Sequence, residues 1–266
     1  MSLTERQKRE QSYYNQFAEM FTLNENIDFS PILGKERRPW NSYWYIYQLA
    51  EEAAAGKVSP KLLDFGSGPG ENALRFAKLG YEVEGFDISE KNIEAASGLF
   101  EKYEISGNFK VSVAEKLDYA DETFDTIAGI DILHHVDIPL SIKECRRVLK
   151  PGGVAIFREP LDVPLWDKIR GLKLVTIFFS KSVSFEKHIT EDERKLNQED
   201  IRVLTEEFPD IKIDKFLIFS RFDPYLRKNH DSTPSLLEKF DAFLMRLIPG
   251  IANLGGAMVI TLKKEK

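Results

Sequence analysis

The spacing of apolar positions changes along this 266-residue chain, and the changes mark its elements. Tyr13, Tyr14, Phe17, Met20 and Phe21 recur at three- and four-residue spacing, which predicts a helix over residues 4–23. Trp40 through the Ala53-Ala54-Ala55 run to the stop at Gly56 predicts a second, over 40–55. From about residue 60, short apolar runs alternate with helical segments. Leu62 to Phe65, Tyr81 to Asp87, Phe124 to Ile130 and Val154 to Phe157 read as strands. Leu140, Ile142, Cys145, Val148 and Leu149 share one helix face, and Lys150-Pro151-Gly152-Gly153 reads as that helix's stop. Such alternation implies a parallel sheet with helices on both faces.

Beyond residue 160 the pattern loosens. A helical, strongly apolar piece runs from Leu165 to Phe179, and a polar stretch follows from Ser184 to Asn197. Gln198 to Phe208 reads as the last core helix and Ile211 to Phe219 as an inner strand. Residues 221–254 form a second insertion with a helix near 234–247, before a final strand, Ala257 to Leu262.

Between the first strand and the helix after it lies Asp64-Phe65-Gly66-Ser67-Gly68-Pro69-Gly70. A glycine-rich strand-to-helix turn lets backbone approach a ligand closely and aims helix N–H groups at it. The acid two places before the first glycine, and the spacing of the third, separate this run from the dinucleotide fingerprint. Asp87 ends the next strand 23 positions after Asp64. There it can accept the hydroxyls of a ribose or, with Ser89 and Glu90 following, cap the next helix.

Acid-x-Gly-x-Gly-x-Gly resembles motif I of the class I S-adenosylmethionine-dependent methyltransferases. Phe124-Asp125-Thr126-Ile127, Leu133-His134-His135-Val136 and Arg146-Arg147-Val148-Leu149-Lys150-Pro151-Gly152-Gly153 resemble the stretch after motif II in the small-molecule branch, which includes the ubiquinone and menaquinone methylases. The resemblance covers about residues 60–160. It implies a Rossmann-like, doubly wound α/β sheet of seven strands, mostly parallel with an antiparallel last strand. Helices lie on both faces, with N-terminal helices and helical insertions after strands 5 and 6. The chain then reads as one methyltransferase domain: a helical lid (1–58), a cofactor-binding core (59–160) and substrate-cap insertions (161–197 and 221–254).

The resemblance also implies a cofactor, S-adenosyl-L-methionine, and its product S-adenosyl-L-homocysteine. Gly66, Ser67, Gly68 and Gly70 would pass its methionine end, Asp64 would face the ammonium, and Asp87 and Ile88 would flank the ribose and adenine. Ala114 and Glu115 would read the adenine edge, because Val113 stands where the family usually has an Asp. Ile130 would line the site, and Tyr14 would close over it from the N-terminal helix. His134 and His135 are the candidate catalytic pair. One reading makes His135 a base near the transferred methyl and His134 a structural partner; the other makes both a scaffold, since adjacent loop residues point different ways. Trp166, Phe179 and His188 are the candidate substrate contacts. The 165–179 piece reads as a cap helix, a pocket wall or an interfacial helix, and Phe240, Phe243, Leu244, Leu247, Ile248 and Ile251 as a continuation of the wall.

Composition narrows the function. A net charge of −6 with dispersed basic residues argues against a nucleic-acid partner. The single cysteine, Cys145, excludes an internal disulfide and a zinc cluster. No metal is expected, since Asp131 stands nearly alone in its loop. No apolar run is long enough to span a bilayer and no signal peptide is evident, so a cytoplasmic location is expected. The expected partner is a small or amphipathic, lipid-like acceptor, with transient contact to a membrane surface. A non-catalytic cofactor-binding sensor or partner subunit is the alternative.

Overall fold

The computed structural model describes residues 3–20, 26–34, 37–161, 195–223 and 233–266. Seven strands form one sheet in the order β3-β2-β1-β4-β5-β7-β6. They are β1 (Lys61–Phe65), β2 (Glu82–Asp87), β3 (Gly107–Val111), β4 (Phe124–Ile130), β5 (Leu149–Pro160), β6 (Asp210–Phe216) and β7 (Ala257–Lys263). All neighbouring pairs are parallel except the two made by β7, which runs antiparallel between β5 and β6. The expected sheet is therefore present, including its reversed last strand.

The helices are α1 (Glu5–Met20), α2 (Ser42–Ala54), α3 (Glu71–Lys78), α4 (Glu90–Lys102), α5 (Ile138–Val148), α6 (Gln198–Glu207) and α7 (Leu236–Leu247). Strand alternation divides the core in two. Leu63 and Phe65 join Ile142, Cys145, Leu204 and Phe208 in one cluster, while Leu62 joins Ile46, Tyr47, Leu74 and Leu99 in the other. The two layers bury the sheet on both faces, as parallel strands require.

Three local features differ from the sequence reading. β6, read as an inner strand, lies at the edge of the sheet. The stop after α5 comes earlier: the helix ends at Val148 and β5 begins at Leu149. The Lys150–Gly153 segment belongs to that strand, at a register shift opposite Phe124 and Thr126. The N-terminal region is also not one lid. Ile46, Tyr47 and Ala50 of α2 are buried against the sheet, and α1 lies across its carboxyl edge. No described helix is long and apolar enough to cross a membrane.

Candidate functional site

β1, β2 and β4 end together at the carboxyl edge of the sheet, where open α/β folds bind ligands. Beside these ends lies a cavity of about 310 Å³. Its wall holds Tyr14, Gly66, Ser67, Gly68, Asp87, Ile88, Ala114, Glu115, Ile130 and His135. Asp64, Gly70 and His134 sit behind it.

The glycine turn is built for close approach at two points. Gly66 has φ +74° and a Cβ there would meet the Ile132 side chain at 2.7 Å. Gly70, with φ +88°, starts α3, and a Cβ would lie 2.8 Å from the Ala96 Cα. Gly70 thus serves the α3–α4 contact rather than the cavity wall expected of it.

Asp87 braces the start of α4, whose cap is Ser89, and faces the cavity as well. Its Oδ2 accepts the Gly68 amide at 2.9 Å; its Oδ1 accepts the Ser89 amide at 2.8 Å and the Asn92 side chain at 3.2 Å. A carboxylate has about four acceptor positions. One remains for a ligand hydroxyl, on Oδ2, rather than the pair first expected. Burial raises the Asp87 carboxyl against the pull of these donors. Behind it, Asp64 is 2% exposed and its Oδ2 has no hydrogen-bond partner among the described residues. Burial, and then the neighbouring Asp87 charge, push the Asp64 carboxyl up to about 7.

α1 is clasped over this edge by polar contacts. Arg6 Nη2 and Gln7 Nε2 donate to Glu115 at 2.6 and 3.0 Å. Gln11 Nε2 donates to the Ile88 carbonyl at 3.0 Å, and the Ser89 hydroxyl donates to Asn15 at 2.7 Å. Glu115 also accepts the Asp137 amide at 3.0 Å. Its carboxylate therefore binds the lid to the 113–117 turn, a different task from the adenine contact expected of it. Arg6, Gln7, Glu10 and Phe17 line the cavity too. The sequence reading named Phe17 but passed over Arg6, Gln7 and Glu10, although glutamine and asparagine at 7, 11 and 15 form a neutral polar stripe at helical spacing.

The histidines divide their roles. His134 is buried, with Nδ1 2.6 Å from Glu159 Oε2. Glu159, fully buried at the end of β5, also accepts the Ile132 and Leu133 amides at 3.0 and 2.7 Å. It shapes the short Leu133–His135 turn, and nothing in the sequence marked it. His135 faces the cavity, with Nε2 3.0 Å from the Tyr14 hydroxyl and Nδ1 3.4 Å from Glu10 Oε2. Adjacent loop residues were expected to point different ways, yet the two rings lie 4.2 Å apart, tilted by 41°.

Asp131 adopts φ +55° at the end of β4 and pairs with Arg158 through both carboxylate oxygens. Under the glycine turn, Tyr43 and Tyr47 donate to Asn72 Oδ1 at 2.6 and 2.7 Å. Among the described residues no cluster of histidine, cysteine and acids fits a metal. Trp166, Phe179 and His188 lie outside the described residues. Phe240, Phe243, Leu247 and Ile248 are exposed rather than lining a pocket wall; the periodicity identified their helix but not which face it turns inward.

Charge identifies the kind of ligand that fits. Glu10, Glu71, Asp87, Glu115 and Asp131 line the cavity with one guanidinium, Arg6, which pairs with Glu115; Arg75 and Arg158 pair with Glu71 and Asp131 from outside the wall. With Asp64 behind them, these acids favour a cation. They would repel the two phosphates of a dinucleotide. A sulfonium with an ammonium, a ribose and an apolar base suits the orphaned Asp64 oxygen, the open position on Asp87 and the Phe86, Ile88 and Val113 side of the wall.

Residues 63–157 match the family described as a methyltransferase domain. A demethylmenaquinone methyltransferase of Chlorobaculum parvum is 34% identical over 125 residues, 46% of this chain and 50% of that protein. A ubiquinone biosynthesis O-methyltransferase of Mesorhizobium japonicum is 38% identical over 95 residues, 35% of this chain and 38% of that one. The chain thus spans half or less of the length of these relatives. The crystal structure of geranyl diphosphate C-methyltransferase from Streptomyces coelicolor A3(2), in complex with Mg2+, geranyl diphosphate and S-adenosyl-L-homocysteine, superposes with a TM-score of 0.57 at 15% identity. The match covers 100% of this chain and 99% of that one, and it shows the fold.

Proposed function

We propose that this chain, whose residues 63–157 belong to the methyltransferase domain family, transfers a methyl group from S-adenosylmethionine to a small acceptor with a quinone-like ring and an apolar part. The observation that carries the reading is the acid-lined cavity between the glycine turn and α1, with the Tyr14–His135 pair on its wall. The cofactor supplies a methyl group on a sulfonium, which needs no further activation.

What remains for the protein is positioning, water exclusion and a proton acceptor. Holding nucleophile and methyl in line within about 3–3.5 Å can supply on the order of 7–11 kcal/mol of the barrier. α1 excludes water by lying across the cavity, held at Glu115, Ile88 and Ser89. His135 Nε2 and the Tyr14 hydroxyl form the proton-accepting pair for an acceptor hydroxyl. Glu10, 3.4 Å from Nδ1, stabilises the imidazolium that results. His134 and Glu159 hold His135 in place through the 132–135 turn. The quinone relatives motivate the acceptor class.

The test supplies S-adenosylmethionine labelled in its methyl group together with reduced, partially methylated quinols of graded tail length. Label should appear in a quinol, with stoichiometric S-adenosylhomocysteine. Tight cofactor binding without transfer to any of them would overturn the acceptor class. No binding of S-adenosylhomocysteine would overturn the site.

A further inference from the structure

α7 turns both of its acids inward and a run of large apolar residues outward. It exposes Leu236, Lys239, Phe240, Phe243, Arg246 and Leu247, which recur every three or four residues and so share one stripe. Leu236 is 84% exposed, Phe243 56% and Leu247 62%; Ile248 extends the stripe. Both acids face the protein. Glu238 is buried, accepts the Ser235 amide in a capping box and pairs with buried Arg38 at 3.3 Å. Asp241, 2% exposed, accepts the amides of Ile218, Phe219 and Ser220 and the Ser220 hydroxyl. A surface helix ordinarily arranges these residue types the other way round.

The charges on the stripe indicate what covers it. Its ionised groups are Lys239 and Arg246, and neither pairs with a carboxylate among the described residues. An apolar groove on a protein partner would match the rings but strand both cations. A bilayer with anionic headgroups takes both: phosphates meet the cations while the rings enter the headgroup–acyl boundary. The placement is consistent. β6 runs parallel to β5, because both are antiparallel to β7. The Ile218–Ser220 amides that Asp241 holds therefore lie at the carboxyl edge of the sheet, the edge that also carries the cavity.

We propose that the outer face of α7 is an interfacial contact with an anionic phospholipid surface. The inference stands apart from the reading of the cavity, because it needs neither cofactor nor turnover. The net charge of −6 makes the whole chain a poor match for such a surface, so association depends on this stripe.

Co-sedimentation of the full chain with vesicles tests it. One set contains phosphatidylcholine with phosphatidylglycerol, the other phosphatidylcholine alone. The chain should bind the anionic set more tightly, and less so as salt is raised. Phe243→Ser with Leu247→Ser should lower partitioning by about tenfold or more, given the apolar area removed. Lys239→Gln with Arg246→Gln should remove the preference for anionic vesicles. Both variants alter exposed side chains and should keep the wild-type melting temperature and S-adenosylhomocysteine affinity. Failure of the wild-type chain to bind either vesicle overturns the proposal. So does equal binding by all variants, which would place the contact elsewhere, for example in residues 162–194. A dimer that Phe243→Ser with Leu247→Ser converts to monomer would make a second copy the occupant and equally overturn it.

Discussion

Asp64 illustrates a residue that costs stability for the sake of a ligand. Its carboxyl is raised to about 7 by burial and by Asp87, above an unfolded value of about 3.9. The folded state therefore holds the proton more tightly. The stability this contributes is complete below the unfolded value and is lost as pH rises through about 7. Asp64→Asn removes the titration. In thermal melts without ligand it should be more stable than wild type above pH 7, on the order of 4 kcal/mol, and gain nothing in acid. Its S-adenosylmethionine affinity should fall, because the ammonium loses its counter-charge. Parallel stability profiles for the two proteins would show that Asp64 does not carry the shift. His135 makes the complementary case. His135→Ala should lower turnover by about 10²–10⁴-fold, as loss of a general base does, and Tyr14→Phe should lower it less. Both should keep cofactor affinity within a small factor. If His135→Ala turns over normally, positioning alone drives the reaction.

Among the elements, α1 is the one whose attachment decides function. The sequence showed its period and its aromatic stripe but not its partners. Arg6 and Glu115 are 109 positions apart, and periodicity reports which face is buried, never what it meets. The same limit hid Glu159, which holds the 132–135 turn from the end of another strand. By contrast β1, the glycine turn and β2 were legible, because one βαβ unit encodes strand, turn and acid within local spacing. Because Glu115 accepts from Arg6, Gln7 and Asp137, Glu115→Ala should free the first turns of α1 with little effect on the sheet. The expected result is faster release of bound S-adenosylhomocysteine, by about tenfold for the loss of a partly exposed charged contact, with an almost unchanged melting temperature. Release at the wild-type rate would mean that Gln11 and Asn15 hold α1 on their own.

At the scale of the whole molecule, the doubly wound layers followed from strand–helix alternation, and the seven strands with a reversed β7 from the resemblance. The sign of the field did not, since a net charge of −6 is silent about where the charge lies. The fold gathers Glu10, Glu71, Asp87, Glu115 and Asp131 around one cavity, from five separate parts of the chain. Low-dielectric walls focus such a field and speed the arrival of a cation. S-adenosylmethionine carries one more positive charge than S-adenosylhomocysteine, at the sulfonium, and the two are otherwise nearly the same shape. Their association rates, measured by stopped flow over a salt series, should therefore diverge. The rate for S-adenosylmethionine should fall as salt shortens the Debye length from about 30 Å at 0.01 M to about 10 Å at 0.1 M. The rate for S-adenosylhomocysteine should stay nearly flat. Asp131→Asn and Glu71→Gln should each reduce the slope for the first ligand and leave the second alone. Equal slopes for both ligands would mean that the acids act only through local contacts, and tight binding of a nicotinamide dinucleotide would mean that the cavity does not select for positive charge.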